Sequence, residues 1–360
     1  MITASFAKEI CGAIHLHTTY SDGGVNYQEL IDAANAVNLD FIAVTDHMSL
    51  GGKESGQEGF RGDVCVLVGY EHQDRINHNH YLALGVDEVF HNLDNPQDYI
   101  NAVKDSGGIG FLAHPAEKRH YFGNLPPYPW TEWQVSGFDG IEIWNQMSDW
   151  IEKIRSPLSA IRLFYPRRFL AAPPSELLMK WDTLNRERFI SGIGGVDAHT
   201  RRVGKGIFSI LVFPIKVELQ GIRTHVYLTD EIDKSDFPGS KRAILNALRD
   251  GRGFFSNFRR GDARGTEFFM ECKDGQIVLP GKPAHFSLPS RLLVSLPGMG
   301  TIHLVADGKR IRTVQGKKAE FQITDSGIYR IEVYRKSKAW IYSNPFPVGN
   351  YPFPALPGTE

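Results

Sequence analysis

The sequence predicts an α/β protein, a barrel-like sheet over residues 1–260 followed by an all-β sandwich over 261–360. Three observations lead there. Short apolar runs alternate with amphipathic stretches as far as residue 258, a rhythm that implies parallel strands joined by helices. After Gly261 strand-like pieces follow one another closely, with turn residues between them. The 360 residues, 42% of them hydrophobic, are too many for one small module and enough for a large domain plus a smaller one.

Taken in order, residues 13–17, 41–45, 64–70, 109–114, 140–144, 189–196 and 224–228 each read as a buried strand. Residues 79–84 read as a further strand that pairs with the third. Between them, residues 27–37 place Leu30, Ile31, Ala34 and Val37 on one helical face. Residues 96–104 and 240–249 behave alike, the latter stopping at Asp250-Gly251. Roughly seven such units suit a barrel better than an open sheet, although spacing alone leaves both open. Residues 118–188 break the rhythm with prolines, aromatics (Trp130, Trp133, Trp144, Trp150) and basic residues, and read as an insertion with its own core or as a lid. Beyond Gly261, residues 266–272, 285–288, 291–295, 301–306, 319–324 and 329–335 read as strands, with turns at Asp307-Gly308 and Asp325-Ser326-Gly327. The proline-rich tail from Asn344 is expected to lie extended on the surface.

With 22% charged and 11% aromatic residues, the composition excludes a disordered or fibrous chain. Forty Lys and Arg against 41 Asp and Glu leave no basic field for wholesale nucleic-acid binding, so no strong nucleic-acid surface is expected, although a nucleotide or oligonucleotide remains open as substrate. The balance conceals an asymmetry: residues 1–261 hold 27 basic and 32 acidic residues, residues 262–360 hold 13 and 9, and ten of the 13 histidines precede residue 200. Cys11, Cys65 and Cys272 form no CxxC pair and read as core thiols of a reducing compartment. The start of the chain lacks a signal-peptide pattern, and no apolar run approaches the roughly 20 residues needed to cross a bilayer. A cytoplasmic protein with no membrane partner is the expectation.

The chemistry lies in where His, Asp and Glu fall along the strands. His15 and His17 alternate on the first strand and share a face. Asp22 follows; Asp46-His47 closes the second strand, Glu71-His72 the third, His114 the fourth, and Asp197 with His199 a later one. His80 lies on the strand over 79–84. A single histidine on an apolar strand is ordinarily a satisfied core residue, but five strands ending this way is another matter. So many buried imidazoles and carboxylates need cations to offset desolvation and repulsion, and strand ends are where parallel barrels place active sites. Imidazole and carboxylate donors without thiolate suit Zn, Mn or Fe.

The stretches IHLHTTYSDG, AVTDH, GYEH, HYLALG, LAHP and GVDAH, in that order over residues 10–230, resemble the PHP (polymerase and histidinol phosphatase) superfamily of metal-dependent phosphoesterases. IEIWN at 141–145 and the terminal WIYSNPFPV resemble its carbaryl-hydrolase-type metallohydrolase branch. The resemblance implies a distorted (β/α)7 barrel holding two or three divalent metal ions. It implies His15, His17 and Asp197 on a first metal, Glu71 bridging to a second, His80 and His114 on that second, and Asp22, His47 and His199 on a third. His78, two residues before His80, shares its face if the strand begins that early.

Such ions lower the pKa of a bound water, the implied nucleophile, and polarise a phosphoryl or carbonyl oxygen. Asp46 is a candidate to orient His47 or to support the ligands from behind, or is an ordinary strand-end acid; His72 and His78 are either donors behind the ligands or surface residues. Lys118, Arg119, His120, Arg201 and Arg202 are candidate anion-binding residues, each set following a metal-bearing strand, and Asn145 is a candidate substrate contact. Trp144 reads as core, and Glu142 as facing the interior without being a ligand. The expected function is hydrolysis of a phosphomonoester or phosphodiester, with a small, phosphorylated substrate as partner. A carboxyl-ester or carbamate hydrolase uses the same site, and a metal-containing binding protein is the non-catalytic alternative.

Overall fold

The N-terminal strands are apolar on both faces, and the two faces bury against different partners. The computed structural model describes residues 7–119, 126–156, 158–159, 170–203, 210–283 and 288–353. In chain order it contains β1 (Lys8–Leu16), α1 (Tyr27–Ala36), β2 (Phe41–His47), α2 (Gly51–Glu54), β3 (Gly59–Arg61), β4 (Val64–His72), β5 (Tyr81–Leu84), α3 (Pro96–Asp105), β6 (Ile109–Leu112), β7 (Gly140–Asn145), α4 (Gln146–Ile151), α5 (Ser175–Glu187), β8 (Ser191–Gly195), β9 (Arg201–Val203), β10 (Ile210–Val212), α6 (Ile215–Glu218), β11 (Ile222–Leu228), α7 (Phe237–Arg249) and β12 (Gly253–Asn257). There follow β13 (Glu267–Glu271), β14 (Ile277–Val278), β15 (Ser290–Ala306), β16 (Lys309–Ile323), β17 (Gly327–Arg335), β18 (Lys338–Ser343) and β19 (Phe346–Val348).

The fold is mixed α/β, with one large sheet and few helices. Strands β1, β2 and β4 run parallel, as do β6, β7 and β8. β5 lies antiparallel between β4 and β6, and β11 antiparallel between β1 and β12. The sheet is therefore not the all-parallel one the strand–helix rhythm implies. The alternation reads element type, whereas direction follows from connection length: a short link such as 73–80 reverses the chain without a crossover helix. Nor does the ladder close. Past β8, Val196 N–H donates to Ile14 O at 2.9 Å and Asp197 N–H to His15 O at 2.7 Å, with one bridge from Leu16 to Ala198. β8 is five residues long, and the contacts with β1 come from the residues after it, around the left-handed Asp197 (φ 56°).

On the outer face Ala13, Ile42, Val44, Val66 and Val68 pack with Leu30, Ile31 and Ala34 of α1. On the inner face Ile14, Phe41, Ala43, Leu67, Phe111 and Ile193 pack against Ala243, Ile244, Ala247 and Leu248 of α7, which fills one end of the curled sheet. Asn26 and Glu29 cap α1 reciprocally, each side chain accepting the other's backbone N–H at 2.9 Å. α7 starts three residues earlier than its apolar pattern suggests, because Asp236 caps it and Pro238 sits in its first turn.

Beyond Gly261 the β-rich expectation holds, with changes. Two anticipated pieces, 291–295 and 301–306, belong to one strand, β15, irregular between Ser295 and Gly300. Asp307 (φ 47°) and Gly308 (φ 78°) turn it into β16, as the sequence indicates. Most of the expected strand at 285–288 lies outside the described residues. The tail from Asn344 is not superficial: Phe346 and Val348 are buried on β19, and Asn344 exchanges hydrogen bonds with the Gly192 backbone at 2.6 and 3.0 Å. β12 pairs with β18, and Ala339 and Tyr342 share a core with Trp181 and Phe255. All three cysteines are buried and free. Among the described residues no helix is long and apolar enough to cross a membrane.

A buried ion network ties α5 to this later region. Arg330 grips Asp182 with Nε at 2.7 Å and Nη2 at 2.8 Å, and its Nη1 meets Glu332 at 2.6 Å. Replacing Arg330 by Met leaves the Asp182 carboxylate buried without a cation. The expected outcome is a loss of about 3–5 kcal/mol in unfolding free energy by urea titration; an unchanged midpoint removes the pair from any account of stability.

Candidate metal centre

The parallel strands end together at the rim opposite α7, and this rim gathers the polar residues. β4 supplies Glu71, β2 supplies His47, and the loops after β6 and β8 supply His114, Asp197 and His199. β5 runs the other way, so His80, just before its start, reaches the same rim. β1 bulges at His15: Ile14 pairs with Ala43 and Leu16 with Val44, leaving His15 unpaired at φ 65°. The bulge, rather than simple alternation, turns both His15 and His17 inward.

Glu71 is fully buried, and five imidazoles stand against its carboxylate. Oε2 lies 3.1 Å from His15 Nε2, 3.2 Å from His17 Nε2 and 3.4 Å from His47 Nδ1; Oε1 lies 2.8 Å from His80 Nδ1 and 3.1 Å from His114 Nε2. Asp197 Oδ1 stands 3.6 Å from His15, 3.5 Å from His17 and 3.2 Å from His199. Asp22 Oδ1 stands 3.1 Å from His199 Nε2 and 3.7 Å from His47 Nε2. All nine residues expected to hold metal are thus brought together. They form four overlapping sets whose ligand atoms lie within 4.8 Å of one another: His17–Asp22–His47–His199, His15–His17–Glu71, His15–His114–Asp197 and His47–Glu71–His80.

Three further features fit cations at this place. Both ring nitrogens of His17 and Nδ1 of His47 are buried with no hydrogen-bond partner among the described residues, although carboxylates stand close by. Unpaired buried imidazole nitrogens are costly unless something else completes them. His15, His114 (φ 29°) and Asp197 hold left-handed backbone conformations, which side-chain-bearing residues adopt at about 1–3 kcal/mol each and which cluster at functional sites. The donors are imidazole and carboxylate throughout.

Behind the ligand candidates a second layer fixes their aim. Glu142, 1% exposed, accepts from His15 Nδ1 at 3.0 Å, from the His114 backbone N–H at 2.7 Å and from Asn145 Nδ2 at 2.9 Å. A Cβ at position 195 would stand 1.6 Å from Glu142 Oε1, so Gly195 is what admits that carboxylate. The sequence reading set Glu142 inside without a role; its alternation along β7 was the available signal. Among the described residues Asp46 bonds to the loop before Asp22 rather than to His47. Its carboxylate accepts from Thr18 N–H, Thr18 Oγ1 and Ser21 Oγ, each at 2.7 Å, and so shapes the loop that carries Asp22. Asn77 Oδ1 meets His80 Nε2 at 3.0 Å, and Tyr128 O meets His114 Nδ1 at 3.2 Å. His72 is bonded to Leu93 O at 2.8 Å and stacked on Tyr99, while the His78 backbone N–H is held by Asp74.

The cluster opens into a cavity of about 540 Å³. Of the anion-binding candidates, Arg119 and Arg201 line it. Arg119 donates to Glu117 Oε1 at 2.9 Å and lies over the Tyr128 ring, and Arg201 Nη2 is 3.6 Å from Asp22 Oδ2. Lys118 instead pairs with Glu176 on an exposed neighbouring surface. His120 and the Arg202 side chain lie outside the described set. Asn145 is not among the residues that line the cavity: it donates to Glu142 and Asp197 and caps α4, accepting from Ser148 N–H at 2.7 Å. The apolar side of the cavity is Met147, Trp150, Ile151 and Phe213; the first three fall in the 118–188 segment expected as an insertion or a lid, whereas Phe213 carries no signal of its own in the sequence. Trp144 is core, as expected.

No protein-family model and no curated protein matches the chain. Among solved structures it is similar to a two-domain protein from Bacteroides vulgatus containing a predicted PHP-like metal-dependent phosphoesterase, at 14% identity and a TM-score of 0.44, over 95% of this chain and 96% of that one. It is similar to PsfC from Pseudomonas syringae at 13% identity and a TM-score of 0.39, over 67% and 89% of the two chains. It is also similar to an amidohydrolase from Chromobacterium violaceum with bound sulfate and no metal, at 15% identity and a TM-score of 0.34, over 52% and 87%.

The cluster titrates in opposite senses. Burial disfavours charge on Glu71 and Asp197, yet the surrounding imidazoles hold both carboxyls well below their usual range. Burial likewise disfavours charge on His114, but the hydrogen bond and charge of Glu71 raise its pKa to about 9; His15 and His199 are raised by their carboxylates too. Burial drops His47 to about 4. A raised imidazole contributes stability that is present below about 6.5 and lost as pH climbs through its folded value. Chelator-treated protein is therefore expected to lose stability between pH 6.5 and 9, read as a falling urea midpoint; a flat or rising midpoint there contradicts the charge pairing.

Proposed function

We propose that the protein is a metal-dependent hydrolase of the PHP kind that cleaves phosphoesters. The curled sheet is, on this reading, a distorted (β/α)7 barrel, with residues 261–360 an accessory β-sandwich. The observation that carries the proposal is the convergence of six imidazoles on three buried or half-buried carboxylates, with both ring nitrogens of His17 lacking a hydrogen-bond partner among the described residues. Two or three divalent ions (Zn, Mn or Fe) suit these donors. His15, His17 and Asp197 would hold one, Glu71 would bridge it to a second held by His80 and His114, and Asp22, His47 and His199 would hold a third. Such ions supply Lewis-acid polarisation of an ester oxygen and acidify water.

The chain's own groups do the rest. Glu142 keeps His15 in one tautomer by accepting from Nδ1, which leaves Nε2 aimed at the cluster. Asp46 holds the Thr18–Ser21 turn so that Asp22 faces His199. Arg119 and Arg201, on the cavity wall, attract an anionic substrate and orient its non-bridging oxygens. Each of these arginines already faces a carboxylate, Glu117 or Asp22. That observation favours the second reading, hydrolysis of a carboxyl ester or carbamate, which needs no phosphate clamp.

Protein loaded with Mn or Zn is expected to hydrolyse 4-nitrophenyl phosphate or bis(4-nitrophenyl) phosphate with higher kcat/KM than 4-nitrophenyl acetate, and the reverse order selects the ester reading. Elemental analysis is expected to find two or three ions per chain. Glu142→Gln is expected to weaken metal affinity about 10–100-fold, as loss of a supporting hydrogen-bond partner does, and His15→Ala to abolish turnover. Full activity in His15→Ala rejects the proposal.

A further inference from the structure

We infer that the substrate carries an aromatic or similarly bulky apolar group on the alcohol side of the scissile ester, an inference that rests on the hydrolase reading above. The cavity of about 540 Å³ falls in the range that encloses a whole organic ligand, far more than a phosphoryl group alone occupies. Its two ends differ in chemistry. One holds the histidines and carboxylates; the other is Met147, Trp150, Ile151 and Phe213, which with Ile154 form an apolar cluster of their own, apart from the main cores.

The apolar end is built to stay in place. Trp150 and Phe213 meet edge to face with ring centroids 4.2 Å apart. Phe213 holds φ 58°, a conformation costly for a bulky residue, and Pro214 follows it at the N-cap of α6. The partly exposed ring faces the cavity on one side and packs against this small buried cluster on the other. Met147, Trp150 and Ile151 sit on α4, whose cap Asn145 donates to Glu142 and to Asp197 at 2.9 and 3.3 Å. One side chain thereby sets the distance between the polar cluster and the apolar wall. An ester whose anionic head meets the cluster and the arginines projects its organic group onto this wall, where a small alcohol would leave it wet.

The test compares ligands that share a head group and differ only in the ring. Titration calorimetry on Mn-loaded protein with 3-phenylpropylphosphonate and propylphosphonate is expected to show the phenyl compound binding about tenfold or more tightly, as burial of one ring predicts. Turnover of 3-phenylpropyl phosphate and propyl phosphate, whose leaving alcohols are alike in acidity, is expected to show the same ratio in kcat/KM. Phe213→Ala is expected to narrow both ratios. Equal affinities in the unmodified protein overturn the inference. If neither phosphate is hydrolysed but 3-phenylpropyl acetate is hydrolysed faster than propyl acetate, the phosphoester reading fails and the apolar subsite stands.

Discussion

The structure is organised around one buried carboxylate. Glu71 lies at the end of a strand with no access to solvent, and the imidazoles of five residues from four chain segments crowd its two oxygens. An anion there without compensating positive charge would be too costly to bury. The histidines offset that cost through their protons or through the cations they bind, so fold and site share one electrostatic condition. The curled sheet serves it by having two unlike ends: α7 seals one with alanine, isoleucine and leucine, and the other is left to polar groups.

The polar end depends on a second layer more than on the ligand candidates' own strands. Glu142 and Asp46 each accept hydrogen bonds from more than one group far away in sequence, and Asn145 donates to the distant Asp197. Left-handed backbone at His15, His114 and Asp197 is sustained because these bonds and the neighbouring strands over-determine it. Asn145 also caps α4, so the geometry of the cluster and the shape of the cavity wall are linked through a single amide side chain.

Stability draws on the later part of the chain as well. β18 extends the sheet through β12, Asn344 closes on Gly192 of β8, and the Arg330–Asp182 pair fastens α5 to β17. Described residues beyond 261 are therefore in direct contact with the sheet that carries the cluster, even though none of the nine candidate ligands comes from them.

Residue type and position along strands determined much of this protein. The apolar runs marked the main strands to within a few residues, and the placing of His15, His17, His47, Glu71, His114, Asp197 and His199 at strand ends picked out the ligand candidates, because a parallel strand's end has one place to be. His80 was legible for the same reason, from the strand it precedes. What the tertiary structure decided lies in relations between distant segments. Strand direction at β5 and β11, the bulge that re-aims His15, Asp46 turning to Thr18 instead of His47, Asn145 withdrawn to cap α4, and an apolar wall drawn from residues 147–151 and 213 have no local signature. Each depends on which backbone group or side chain comes within about 3 Å, and hydrogen-bond partners at that range are chosen by packing rather than by the order of residues along the chain.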